Sequence, residues 1–294
     1  MPFPSLESFL DHYRDEEKCS SFLVQLKWPD GFRCSECHCG RAYVVIARRL
    51  PLFECANCRR QHSLTTGTVM ERSRTPLRKW FVAIYLFSDA RSGLNAVRLS
   101  QAIKVTYKTA WLMLHKLREA LIREDNERLL DGIVRVQGGA YGAPFNPYTE
   151  KDPQRHPLLA GGSVCDTGEV ANLRLTIVEP QHIQDNGYIS HLGEQAFIRR
   201  NVSSTASEVQ SLRFRLHMSR FRPLVRCIAD FGHWASATYR GLGRQYLQAY
   251  ANEFTFRYNS RHQGDSMLAR IFQLCASTAS APSLRSITLK YRLS

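Results

Sequence analysis

The chain has 294 residues, 44% of them hydrophobic, enough for two or three domains and a sizeable core. Lys and Arg number 40 against 26 Asp and Glu, a formal charge of +14 that points to a polyanionic partner. No apolar run approaches the roughly 18 residues of a membrane span, which argues against a membrane partner.

The opening stretch MPFPSLESFLDHYRDEE lacks the basic-then-apolar order of a secretory signal, so a cytoplasmic location is expected. There the nine cysteines stay reduced, and clustered ones point to metal rather than disulfides. Five of the nine fall between Cys34 and Cys58. Cys34 and Cys37 form one CxxC, Cys55 and Cys58 a second, with 17 residues between them. Each CxxC is a tight knuckle offering two thiolates, and two knuckles complete a tetrahedral S4 site. Zinc suits it best, because four thiolates leave no open position for water. Cys39 and His38 are competing donors, but Cys37 keeps the favoured two-residue gap and is preferred. A ribbon this small needs the metal as its staple.

Residues 76–124 turn helical. Thr75-Pro76 opens the first run as an N-cap and N1 pair, with Leu77, Trp80, Phe81, Ile84 and Tyr85 at helical spacing. Gly93 interrupts the pattern. Leu94–Lys104 and Thr106–Arg123 follow, joined at Lys104-Val105 as a tight helix–turn–helix link. Thr106 is placed to cap the second helix, and Ala110, Leu114 and Leu117 form its apolar stripe. Lys104, Thr106, Tyr107, Lys108, Thr109 and Lys116 fall outside that stripe. Such an arrangement suits a recognition helix on double-stranded DNA, with lysines on phosphates and Thr106, Tyr107 and Thr109 nearest the groove. An ordinary helical hairpin with a solvated basic face is the alternative.

From Ile133 the period changes to that of strands. Ile133, Val134 and Val136 lead into Gln137-Gly138-Gly139, and residues 157–178 read as a β-hairpin turning at Asp166-Thr167-Gly168. Residues 180–222 are polar and resist assignment. The segment from Arg244 to Arg261 is helical again.

Three stretches carry a family resemblance: SLESFLDHYRDEEKCSSFLVQLKWPDGFRCSEC, LFECANCRRQHSLTTGTVMERSRTPLRKWFVAIYL and YLQAYANEFTFRYNSR. Together they closely resemble the IS1595-type insertion-sequence transposases. The resemblance implies an α+β multidomain chain. Its parts are an N-terminal helical segment (1–30), a zinc ribbon (31–72), a helix-turn-helix segment (73–128), an RNase H-like α/β domain (129–275) and a C-terminal tail (276–294). It also implies DNA cutting and joining with two Mg²⁺ ions, action as a homo-oligomer, and association with the bacterial nucleoid.

Two Mg²⁺ ions need clustered carboxylates, since Mg²⁺ takes hard oxygen ligands. In such families the first Asp sits on the first strand of the sheet. Here that position falls on Gln137 or Gly138, and the neighbouring acid has become Arg135. The strand reads as a catalytic strand without its carboxylate. The family's helix and further strand after the hairpin look deleted, with some twenty residues missing by comparison with the family. Asp185 then matches the second acid and Asp230 comes closest to the third. Plainer roles are a turn residue for Asp185 and a helix cap for Asp230, and Glu253 reads as structural. The expectation is a transposase-related DNA-binding protein, catalytically impaired or domesticated. The alternatives are an active transposase using Asp185 and Asp230, and a docking scaffold for a protein partner of unknown identity.

Overall fold

The computed structural model describes residues 3, 5–46, 49–89, 93–142, 155–165, 167–214, 218–261 and 266–277. Asp166, in the expected hairpin turn, and the tail from residue 278 lie outside them. The chain forms two compact units, and the boundary between Ala120 and Leu121 falls within a helix.

The first unit begins with α1 (Leu6–His12) and α2 (Glu16–Lys27). Each starts where a short polar side chain takes a free helix N–H: Ser5 accepts from Ser8, and Asp15 from Lys18. A three-stranded antiparallel sheet follows, β1 (Ala42–Val45), β2 (Leu52–Cys55) and β3 (Gln61–Ser63), in that order. Helices α3 (Leu77–Asp89), α4 (Ala96–Ile103) and α5 (Tyr107–Glu127) come next. The free N–H groups of Leu77 and Arg78 at the start of α3 are taken by the Glu16 carboxylate of α2, a cap from 61 and 62 residues away that no local pattern reveals. The core is aromatic: Phe9 packs on Tyr13 and Phe272, and Phe81 packs on the same two rings, at separations of 4.9 to 6.4 Å. Phe272 belongs to α9 (Met267–Ala276). That helix packs on α2 and α3, so residues expected at the end of the 129–275 domain return to the first unit.

The second unit is built on a four-stranded sheet. Its strands are β4 (Ile133–Tyr141), β5 (His156–Val164), β6 (Val170–Ile177) and β7 (Glu208–Leu212), in the order β6-β5-β4-β7. β4, β5 and β6 run antiparallel, and β7 lies parallel to β4 with Gln137 opposite Leu212. Between β6 and β7 runs α6 (His191–Asn201), and after β7 come α7 (Arg222–Tyr239) and α8 (Arg244–Arg261). The expected deletion after the hairpin is therefore corrected: α6 and β7 supply a helix and a strand within residues 191–212. Both faces of the sheet are covered, as strand alternation requires. Leu158, Ala160, Leu173 and Leu175 pack with Leu224, Phe231 and Leu247, while Val134, Val136 and Leu159 pack with Phe197.

The outer edge of β6 is closed by side chains of α8 that imitate a neighbouring strand. Gln248 accepts from the Ile177 N–H at 2.8 Å and donates to the Leu175 carbonyl at 2.9 Å. Asn259 accepts from the Leu173 N–H at 2.8 Å and donates to its carbonyl at 3.1 Å. These bonds satisfy backbone groups that an edge strand otherwise leaves open.

Candidate metal centre and nucleic-acid interface

The two cysteine knuckles are built alike. His38 and Arg59, each just after the second cysteine of its pair, adopt left-handed backbone at φ 57° and 60°. Their N–H groups donate to the carbonyls of Cys34 and Cys55. The Cys34 and Cys55 N–H groups donate in turn to the carbonyls of Cys39 and Arg60. A non-glycine residue in this conformation costs about 1–2 kcal/mol, which the shared metal site offsets.

The knuckles bring the sulfurs of Cys34, Cys37, Cys55 and Cys58 within 4.8 Å of one another. The Cys34–Cys58 and Cys37–Cys55 pairs are 3.6 and 3.5 Å apart. A tetrahedral zinc with Zn–S bonds of about 2.3 Å requires sulfur separations of about 3.8 Å, so the cluster fits the ion with minor adjustment. Cys39 turns away, its thiol towards the Arg41 carbonyl. Cys37 and Cys58 hold their protons unequally. The backbone N–H of Cys39, then the Asn57 side chain, hold Cys37 down at about 6. Cys58 also feels a backbone N–H, from Arg60, that pulls it down, yet burial and the other three sulfurs push it up to about 12. A divalent cation removes that conflict by making all four thiolates favourable at once. His62, which the cysteine pattern did not flag, brings Nε2 to 3.3 Å from the Cys34 sulfur.

The helical pair forms as its sequence dictates. Asn95 caps α4 by accepting from the Arg98 N–H, and Lys104 ends it in left-handed backbone at φ 50°. Thr106 caps α5 by accepting from the Thr109 N–H at 3.2 Å. Ala110, Leu114 and Leu117 are buried behind, while Lys104, Thr106, Tyr107 and Lys108 are exposed and Thr109 is half-buried. Arg98, also exposed, and Lys79, whose Nζ donates to the Lys104 carbonyl, enlarge the basic surface at this turn.

Lys116 departs from the expected outward set. It is buried, and its ammonium donates to the carbonyls of Val69 and Glu71 at 3.2 and 2.7 Å. Burial pushes its pKa down to about 8 from an ordinary 10.5, against the pull of Glu71. Below pH 8 both folded and unfolded chains hold this proton, whereas between pH 8 and 10.5 only the unfolded chain does. The Lys116 contribution to stability therefore rises with pH across that window. Denaturant melts at pH 7.5 and 9.5 should show this rise shrinking by on the order of 1 kcal/mol in Lys116→Met. An identical rise in the variant would count against the buried ammonium.

The acidic candidates Asp185 and Asp230 belong to no group of three or more metal-ligating side chains among the described residues. Asp185 is exposed in a turn bracketed by the Ile183–Ile189 bridge, and Asp230 lies on the exposed side of α7. Among the described residues, the four cysteines are the one group of three or more metal-ligating side chains. Gln137 is fully buried, and its side-chain amide donates to the carbonyls of Gly138 and Phe214. A Cβ on Gly138 would run into the backbone of Arg213, 2.7 Å from its carbonyl carbon. Glu194, another residue sequence reasoning missed, is buried nearby in the chain's fold and pairs with His191 and Arg213.

Residues 14–61 match a family profile described as the transposase zinc-ribbon domain, of the IS1595 type. A curated relative, described as an uncharacterized protein in transposable element ISH50 of Halobacterium salinarum, is 33% identical over 110 residues. The match covers 36% of this chain and 36% of that protein, so the chain spans about a third of the relative's length. No solved structure matches. Among the described residues, no helix is long and apolar enough to cross a membrane. The paired cysteine knuckles and the profile match together identify residues 14–61 as a zinc ribbon of the IS1595 transposase type, in a chain similar over about a third of its length to a protein of a transposable element.

Proposed function

We propose that this chain is a DNA-binding protein of transposase descent that has lost the strand-cutting step. Gln137 and Gly138 carry the reading, because they occupy the strand position at which a first catalytic acid is expected, and Gly138 has no room for a side chain. The order β6-β5-β4-β7, three antiparallel strands followed through a helix by a fourth parallel to the first, supports an RNase H-like ancestry for the second unit. The ribbon holds a structural Zn²⁺, and Mg²⁺ has no carboxylate cluster to occupy among the described residues. Double-stranded DNA is the partner, met by Lys104, Thr106, Tyr107, Lys108 and Thr109 together with Arg98. Lys116 drops out of that set because its ammonium is already committed. The chain works on chromosomal DNA in the cytoplasm, as a homo-oligomer.

Phosphate contacts release counterions, so affinity for duplex DNA should fall steeply with salt. Lys108→Ala should weaken binding and flatten the log–log salt slope by about one unit. Lys116→Met should leave that slope unchanged. Salt-insensitive binding, or no response to Lys108→Ala combined with Arg98→Ala, would remove α4–α5 as the reader. Failure to bind DNA at all would favour the docking-scaffold alternative.

A further inference from the structure

Between α6 and α8, on one face of the second unit's sheet, lies a cavity of about 310 Å³. That is room for one small ligand. Part of its wall is apolar, from Leu159, Ile177 and Phe197. The rest is cationic, with Arg174, Arg200 and Arg244 against one carboxylate, Glu179. Backbone carbonyls hold two of the guanidinium groups in place: Arg128 accepts from Arg174, and Val178 accepts from Arg244 at 2.8 Å. One such bond uses one of five N–H donors, so Arg244 keeps donors for a ligand.

Two lining atoms give the cavity its direction. The Thr255 hydroxyl is buried, its residue only 2% exposed, and makes no hydrogen bond to protein; the same holds for His182 Nδ1. A buried polar group without a partner costs about 1–3 kcal/mol. Unpaired polar atoms beside an excess of fixed guanidinium charge mark a site built to receive an acceptor-rich, negatively charged guest.

We propose that this cavity binds a small organic anion, a phosphate or carboxylate on a ring-shaped or apolar body. The arginines and the Thr255 hydroxyl meet the anionic group, and Leu159, Ile177 and Phe197 cover the body. The site lies wholly within the second unit and is independent of DNA binding by α4–α5.

Titration calorimetry on the full chain at constant ionic strength tests this with phenyl phosphate, benzoate, inorganic phosphate and phenol. Saturable binding is expected for phenyl phosphate or benzoate, the better of the two identifying the anionic group. Inorganic phosphate should bind at least about 10-fold more weakly, and phenol not measurably. Arg200→Gln, on an exposed helix position, and Thr255→Val, which keeps the side-chain shape, should each weaken binding about 5-fold or more. Thr255→Val should also raise the melting temperature of the ligand-free protein, since it removes an unpaired hydroxyl. No saturable binding of either aromatic anion, or full binding in both variants, overturns the proposal; so does phosphate binding as tightly as phenyl phosphate.

Discussion

Cys37→Ser should empty the ribbon of zinc and unfold residues 31–72, while Cys39→Ser should keep one zinc per chain. Both are reduced thiols in one short loop, so the contrast isolates geometry from chemistry. Cys37 lies in the four-sulfur cluster, and Cys39 is directed at the Arg41 carbonyl. The ribbon's strands are four, four and three residues long, too little surface to hold themselves together. Structural zinc in peptides of this size supplies an apparent 10–16 kcal/mol, so losing one of four thiolates removes most of the local stability. Metal analysis and amide exchange of the ribbon would read the outcome. Full zinc in Cys37→Ser, with loss in Cys39→Ser, would reassign the ligand.

The second large effect concerns an attempted repair. The unmodified protein should bind DNA yet neither nick nor join it in Mg²⁺ or Mn²⁺, and Gly138→Asp should destabilise the second unit rather than restore cutting. Two divalent ions bring four positive charges into one cleft, which needs several carboxylates to offset it. Gly138 cannot hold one, since its added Cβ collides with the Arg213 main chain rather than with a movable side-chain tip. Overpacking against backbone costs several kcal/mol, enough to bring a marginal domain close to unfolding. Gln137→Asp fares no better. The Gln137 amide binds the Gly138 and Phe214 carbonyls, and a carboxylate there would face two acceptors with no donor. Metal-dependent cleavage by the unmodified chain, abolished by Asp185→Ala, would restore the transposase activity to this protein.

The metal site was legible because its signal is local: paired CxxC spacing encodes the knuckle, and the two-residue gap separates Cys37 from Cys39. The α4–α5 turn was legible for the same reason, through Thr106 at the start of α5. Lys116 was misplaced because helical spacing shows which face is apolar, not which carbonyls approach that face. Val69 and Glu71, 47 and 45 residues upstream, draw the ammonium inward. Helix α6 and strand β7 were missed on weak patterning. α6 is only 11 residues long and polar, and β7 alternates poorly, with Val209 exposed on a sheet edge. Overlooking them made the segment after the hairpin look shortened. The Glu16 cap on α3 joins residues whose partnership only the folded chain reveals, whereas Glu253 and Arg257 in α8 stand at i,i+4 spacing and the fold adds only their burial.

The side chains that seal β6 also set a clock on synthesis. Gln248 leaves the ribosome 71 residues after Ile177, and Asn259 86 residues after Leu173. At about 5–20 residues per second, the strand stands unsealed for roughly 4–17 s after it is made. During that interval its N–H and C=O groups can pair with another nascent chain, and each ribosome on a crowded message carries the same bare strand. Yield in the cell should therefore depend on how quickly the last third of the chain arrives. Slowing translation between codons 178 and 248 should lower soluble protein without altering a single contact of the finished molecule.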